Sequence, residues 1–463
     1  MMDRRRLRVG FGVATLLLLA VLAGSYVAAQ SGGGQIQGGE SAVEDAMASG
    51  ANGPVVPERD NITVVTGDST AFVTNDGDGP RKRAEIVAFA PNGSVYYYNE
   101  SHTRYWDVDP VEGTDATVEY VYAEHLSAEA CNAQRVCTRN GVERVNLTTG
   151  EVTDIYSRIT PGKHSTRWHD VDRLDDERLL VADIDRDRAY VVNTTTELVT
   201  WSWDAQADFN TSSGGPYPHD WTHINDVEYV ELDGRPTVMV SVRNHDQVVF
   251  VDMETGLREE WTLGSDGNHS RLYEQHNPDF IPASEGGPAV LVADSENGRA
   301  IEYQRQNGSW VQSWEWQDQR LTWVRDADRL PNGHTLMADS NGDRILEIDE
   351  EGTVVWSIDM GFPYEAERLG TGDESTGGPS AAAADLPSRV PDTENRSAVS
   401  SVTAWAPQSV VNGIAYILPG WVGVLEVVAA LGLLLVLPLW LVAEWRKRRV
   451  DVSVRWPFEI RKR

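Results

Sequence analysis

Three histidines and two arginines carry the residue types from which an anion-handling site can be built. His169, His223 and His276 open the short runs Trp168-His169-Asp170, His223-Ile224-Asn225-Asp226 and His276-Asn277-Pro278-Asp279. Trp323-Val324-Arg325-Asp326 places an arginine in the same kind of run, and Arg243 closes Ser241-Val242-Arg243. A guanidinium donates in a planar fork that suits a small planar or tetrahedral anion, and imidazole serves as nucleophile or acid according to its proton. Two other uses stay open. Three imidazoles can ligate a transition metal with an open position for substrate, or each can bond a neighbouring element and only hold the fold together. His169 is the least regular of the three, two places out of register with His223 and His276. His102, His164, His219, His245, His269 and His334 stand at other positions and are expected at the surface or in turns.

Residues so far apart meet only if the chain repeats, and it does. Asp170-Val171-Asp172-Arg173-Leu174 leads to Leu179 through Asp183, then to Arg188 through Val192 and to Trp201. Asp326-Ala327-Asp328-Arg329-Leu330 leads in the same way to Thr335 through Asp339, Arg344 through Ile348 and Trp356. Units led by Asp226 and Asp279 end at Trp261 and Trp314, an earlier copy begins near Ala88, and Glu365 to Leu369 starts a copy that the chain does not complete. Units of roughly 40 to 55 residues made only of short strands imply an all-β chain and a β-propeller. Six blades are expected, the last completed by N-terminal strands such as Ile62 to Val73. The innermost strand of each blade lines the central channel, so the runs that hold His169, His223, His276 and Arg325 converge. The four tryptophans are expected to pack between blades. The acidic turns at Asp183 to Asp187, Asp294 to Asn297 and Asp339 to Asp343 admit calcium, but hairpin capping accounts for them more simply.

A formal charge of −31, with four lysines among 40 basic residues, excludes nucleic acid as a natural partner and fits a high-salt habitat. Two apolar stretches frame the acidic part. The first, within 1–29, follows Arg4-Arg5-Arg6-Leu7-Arg8 and is expected to be a signal or anchor. The second, within 417–443, precedes Arg446-Lys447-Arg448-Arg449 and is expected to span the membrane with its basic end in the cytoplasm. Between them lie a spacer at 30–60, a propeller at 61–369 and a second linker at 370–410; a basic tail occupies 444–463. The propeller is thus expected outside the cell, with both termini cytoplasmic if the first segment is retained. Nine Asn-x-Ser/Thr sequons and the pair Cys131 and Cys137, expected to form a local disulfide, agree with that placement. Nucleotide-binding, nucleophile-elbow and His-Glu-x-x-His patterns are absent, and no cofactor is expected.

The central stretch resembles the nucleotide-independent aryl sulfotransferases. The pieces that carry the resemblance are Thr222 to Tyr229, Ser241 to Arg243, Trp261 to Gly264, Gln275-His276 and Arg299 to Tyr303, in the family's order. It implies transfer of a sulfuryl group from a phenolic sulfate ester to a phenolic acceptor through a sulfated histidine. His276 is implied as the nucleophile, His223 and Arg243 as anion-holding residues and His169 as a further active-site histidine. The alternative is a non-catalytic surface propeller that binds an anion, a glycan or a protein.

Overall fold

The computed structural model describes residues 4–31, 43, 46–50, 53–68, 84–133, 136–162, 166–318, 321–390, 406–418, 422–448, 452–455 and 459–462. Two compact units result, residues 37–393 in one and the two ends of the chain in the other.

The larger unit is a six-bladed β-propeller. Its inner strands are Arg104–Pro110, Trp168–Arg173, Ile224–Leu232, His276–Ile281, Val324–Arg329 and Pro363–Arg368. They neighbour one another in a closed ring. Blades 2 to 6 each run outward from the first of these strands in chain order. Blade 1 is composite: the late strand Pro363–Arg368 pairs antiparallel with Thr63–Gly67, and Ile86–Phe89 and Val95–Asn99 follow outward. The strand begun at Glu365 is therefore completed by N-terminal strands; positions 69–73 of the expected Ile62 to Val73 strand lie outside the described residues.

Six blades follow from the sequence by a partly different count. The copy near Ala88 and the strand at Glu365 belong to one blade, while blade 2, Arg104 to Pro161, was not among the repeats. Its inner strand reads Trp106-Asp107-Val108-Asp109, close to His169-Asp170-Val171-Asp172 in blade 3. Cys131 and Cys137 are disulfide-bonded, Cα to Cα 6.0 Å, at the start of that blade's third strand.

Apolar clusters fill the spaces between consecutive blades, as the alternation along each strand requires. The repeated tryptophans sit in these seams: Trp201 Nε1 donates to the Met253 carbonyl of the next blade, and Trp356 Nε1 to Pro57. Composition made residues 370–410 a linker, yet 371–390 lie against the propeller. Ser375 Oγ bonds Asp279, the Ala381 amide donates to Glu302 at 2.9 Å, and the Arg389 amide donates to the Glu315 carbonyl at 2.8 Å. Serine, glycine and alanine leave the room for such backbone-close packing. The acidic turns carry ion pairs with an arginine five residues on, Asp183 with Arg188, Asp294 with Arg299 and Asp339 with Arg344.

In the smaller unit the helices Arg4–Ser31 and Val424–Arg448 each contain a stretch long and apolar enough to cross a membrane, Leu7–Val27 and Val424–Trp445. They pack antiparallel. Arg8 pairs with Glu444 at 2.5 Å, Ser25 Oγ donates to Glu426 at 2.6 Å, and Phe11 stacks on Trp440. Gly432 admits Leu18 where a Cβ would stand 3.1 Å from its Cδ1. A separate helix, Gln408–Ile417, precedes the second span, which starts at Val424.

Candidate active site

Each inner strand carries an acid at an equivalent position, Asp107, Asp170, Asp226, Asp279, Asp326 and Glu365. At or just before that acid the pairing register shifts in five of the six strands, between Tyr105 and Val108, Trp168 and Val171, Ile224 and Asp226, His276 and Asp279, and Val324 and Asp326. A bulge bends the strand and re-aims its side chains. Residues both one and three places before the acid can then face the channel. The nearer tier includes Trp106, His169, Arg325 and Tyr364; the outer tier includes Arg104, His223, His276, Trp323 and Phe362. This explains the register offset of His169, which belongs to the nearer tier. In the outer tier His223, Trp323 and Phe362 hold φ of 48°, 61° and 48°, a conformation costly for such residues and concentrated at functional sites.

The sequence-predicted residues come together at one mouth of the channel. The rings of His169 and His223 are 5.1 Å apart, and Tyr364 lies 5.6 Å from His169 and 6.3 Å from His276, centroid to centroid. Arg243 NH1 donates to His223 Nε2 at 3.1 Å, so Nδ1 of His223 bears the proton and donates it to Asp220. Asn244, which separates Arg243 from His245, accepts from Arg243 Nε at 3.0 Å and donates to the Asp220 carbonyl. Arg243, His223 and Asp220 are thus held as one polar group.

The environment of His276 fixes its tautomer. Its Nδ1 lies 3.1 Å from the Glu274 carbonyl and 2.8 Å from Ser295 Oγ, whose own proton goes to the Val324 carbonyl at 2.6 Å. Both neighbours can only accept, so Nδ1 carries the hydrogen. Nε2 keeps its lone pair and has no hydrogen-bond partner among the described residues. Burial, aided by Arg325, Arg243 and His223, holds the His276 pKa well below the ordinary histidine range. Burial lowers His169 in the same way, and burial with Arg243 brings His223 down to about 4. All three rings are therefore neutral at neutral pH.

Several residues of the mouth escaped the sequence-predicted site. Arg325, recognised as an inner-strand residue, spans 3.2 Å to Asp68 and lies over the rings of Tyr364 and Phe362. Asp68 also pairs with Arg104 at 3.0 Å. Tyr364 stands one place before Glu365 as His169 does before Asp170, and that alignment was available in the sequence. His245, expected at the surface or in a turn, is fully buried instead, packed on Phe209 and Trp221 outside the channel. His102 is likewise half enclosed, stacked on Tyr122 beside Glu143, and His334 bonds Glu347; His164 lies outside the described residues.

Beneath the mouth the channel is lined by carboxyl groups. The acid of one blade accepts a backbone amide of the next: Asp107 from Val171, Asp170 from Val227, Asp326 from Ala366 and Glu365 from Val108. The expected pairing of these acids with backbone amides thus turns out to run from blade to blade. Two places further on, Asp109, Asp172, Glu228, Asp328 and Glu367 form a second tier, and Asp172 and Glu228 accept from Tyr229 and Phe280. Burial raises the pKa of every one of these second-tier groups, and neighbouring carboxylates raise most of them further. Part of the chain's acidity is therefore internal, and not a property of its surface alone.

Among solved structures, a protein of unknown function from Bacteroides caccae aligns with 66% of this chain and 98% of its own, at 12% identity and TM-score 0.44. A periplasmic gluconolactonase from Pseudomonas aeruginosa aligns with 67% and 99%, at 12% identity and TM-score 0.41. No curated protein matches the sequence. Residues 159–361, which bring His169, His223, Arg243, His276 and Arg325 to the channel mouth, match the arylsulfotransferase (ASST) family.

Proposed function

We propose that the chain is a membrane-tethered aryl sulfotransferase that moves a sulfuryl group from a phenolic sulfate ester to a phenolic acceptor through a sulfo-histidine at His276. The observation that carries this reading is the bare Nε2 of His276, held in that tautomer by Glu274 and Ser295 and electrostatically close to Arg243 and Arg325. In the first half-reaction Nε2 attacks sulfur; the N–S bond forms while the S–O(aryl) bond breaks, and the electron pair leaves with the phenolate, which takes a proton from solvent. In the second, the acceptor oxygen attacks sulfur and gives its proton to solvent, and the N–S electron pair returns to Nε2. Arg243 and Arg325 stabilise charge on the sulfuryl oxygens. His223 has no proton free for the anion, since Nδ1–H faces Asp220 and Nε2 accepts from Arg243, so it acts by orienting Arg243. With the Tyr364 hydroxyl donating to Nδ1 of His169 across 3.4 Å, the unpartnered Nε2–H of His169 hydrogen-bonds the departing phenolate oxygen and keeps its proton.

The basic flanks Arg4-Arg5-Arg6 and Arg446-Lys447-Arg448-Arg449 support cytoplasmic termini and an external propeller. The antiparallel helix pair supports retention of the first helix as an anchor, because Arg8–Glu444 and Ser25–Glu426 tie it to the second at both ends. The test is incubation of the purified full-length chain with p-nitrophenyl sulfate and a phenol. Phenol release and sulfate label on the protein, both abolished in His276→Ala, are the expected result. No release with or without acceptor, across low and high salt, would sink the reading.

A further inference from the structure

The carboxyl groups beneath the mouth crowd most closely at Asp107, Asp109 and Glu365. One oxygen from each lies within 4.8 Å of the other two. Calcium–oxygen bonds measure about 2.3–2.6 Å, so one ion centred among the three can reach all of them. A second observation, independent of the acids, points the same way. Asn277 donates its amide nitrogen to Glu365 Oε2 at 3.1 Å, and this fixes the side chain on the acid group. Its carbonyl oxygen is left without a hydrogen-bond partner although the residue is only 8% exposed. An unpaired buried carbonyl is unfavourable, and a cation supplies the missing partner. In the same two tiers of the channel Asp226 Oδ2 and Asp328 Oδ2 are buried and equally unpartnered.

The chemistry of the donors selects the ion. They are all oxygens, three anionic and one neutral, which favours a hard cation over zinc or copper. They come from three strands, with Asp107 and Asp109 two places apart on one of them, and such irregular spacing suits the flexible coordination of calcium better than the strict octahedron of magnesium. We infer that the channel binds a divalent cation of the calcium class between Asp107, Asp109 and Glu365, with the Asn277 carbonyl as a neutral ligand. Glu365 belongs to blade 1, the two aspartates to blade 2 and Asn277 to blade 5, so the ion ties opposite sides of the ring together. It also screens the acid shaft from an anion arriving at the mouth. The inference does not depend on sulfuryl transfer.

The experiment uses the full-length chain in detergent, stripped with chelator and held in potassium chloride. Terbium is titrated in, with luminescence sensitised by Trp106, the neighbour of Asp107; calcium is titrated by competition and by calorimetry. Saturable binding at one site, displacement by calcium and a higher melting temperature in calcium are expected. Asp109→Asn should weaken both ions at least tenfold, whereas Asp175→Asn, in an exposed turn, should not. Absence of saturable binding to the unaltered chain at millimolar calcium overturns the inference, and so does equal affinity in Asp109→Asn. Should that variant fail to fold, the terbium and calcium titrations of the unaltered chain decide alone. Loss of metal binding with sulfuryl transfer intact, or the reverse, separates this inference from the proposed activity.

Discussion

Ser295 Oγ stands 2.8 Å from Nδ1 of His276 and hands its own proton to the Val324 carbonyl. The hydroxyl can thus only accept from the ring, which stabilises the tautomer whose Nε2 is nucleophilic. Ser295→Ala leaves the Glu274 carbonyl as the sole restraint on Nδ1. Turnover of an aryl sulfate should fall about 10- to 100-fold with little change in KM, the usual range for loss of an orienting partner. Steady-state phenol release measures it, and an unaltered kcat would show that Glu274 suffices.

Arg243 makes directional bonds to His223 at 3.1 Å and Asn244 at 3.0 Å. Lysine keeps the charge and loses the fork, so Arg243→Lys should behave nearly as badly as Arg243→Ala. A drop in kcat/KM of about 100-fold or more is expected of both, the magnitude typical for one preorganised donor. Full activity in the lysine variant would mean that charge alone is used.

On the proposed mechanism the acidity of His276 sets a pH limit. Burial and the adjacent arginines hold His276 below the ordinary histidine pKa of 6.5. The ring therefore stays neutral as pH falls through 6.5, and activity is lost only where the folded-state pKa is reached. The acid limb of kcat/KM should lie below that value. A limb at or above 6.5 would count against His276 as the nucleophile.

The channel acids give stability the opposite dependence on pH. Burial raises Asp172 to about 6, Asp326 to about 7 and Asp170 to about 8, from 3.8. Between those limits the folded chain holds more protons than the unfolded one, so stability falls as pH rises from about 4 to 8. The depressed histidines act in the other sense, lowering stability as pH drops below 6.5, but they are outnumbered. Melting temperatures in chelator should decline from pH 5 to pH 8, and calcium should flatten that decline.

Glu302 and Arg329 are fully buried and paired at 3.3 Å, and Glu302 also accepts the Ala381 amide. Glu302→Ala strands the guanidinium over Trp314 and frees the segment that follows Gly370. A loss of about 3–5 kcal/mol is expected, as for breaking any buried pair from one side. Chemical denaturation measures it, and limited proteolysis should find new cleavage between residues 371 and 390.

How much of this was legible in the sequence depends on what each feature looks like when the chain is unfolded. Repetition is local, so Asp170, Asp226, Asp279 and Asp326 announced their blades and the convergence of His169, His223 and His276. Blade 2 hid because its Trp106-Asp107-Val108-Asp109 run has neither the arginine-leucine ending of the Asp170 and Asp326 runs nor the leading histidine of the Asp226 and Asp279 runs. Arg325 was legible as an inner-strand arginine facing the histidines, whereas Tyr364 fell one place outside the strand expected to begin at Glu365, and neither the bulges nor the contact of Arg325 with Asp68 can be read from spacing. The acid shaft was divided in the sequence among six repeats and counted with the surface charge. The segment 371–390 looked like a spacer because Ser375 and Ala381 owe their position to partners 96 and 79 residues upstream.

The seam of the ring joins Thr63–Gly67 to Pro363–Arg368. A nascent chain that has not yet emerged as far as Pro363 has neither Tyr364 nor Glu365, so it lacks one wall of the channel mouth. On the proposed reading, a product cut short before that strand would be inert even with all three histidines translated.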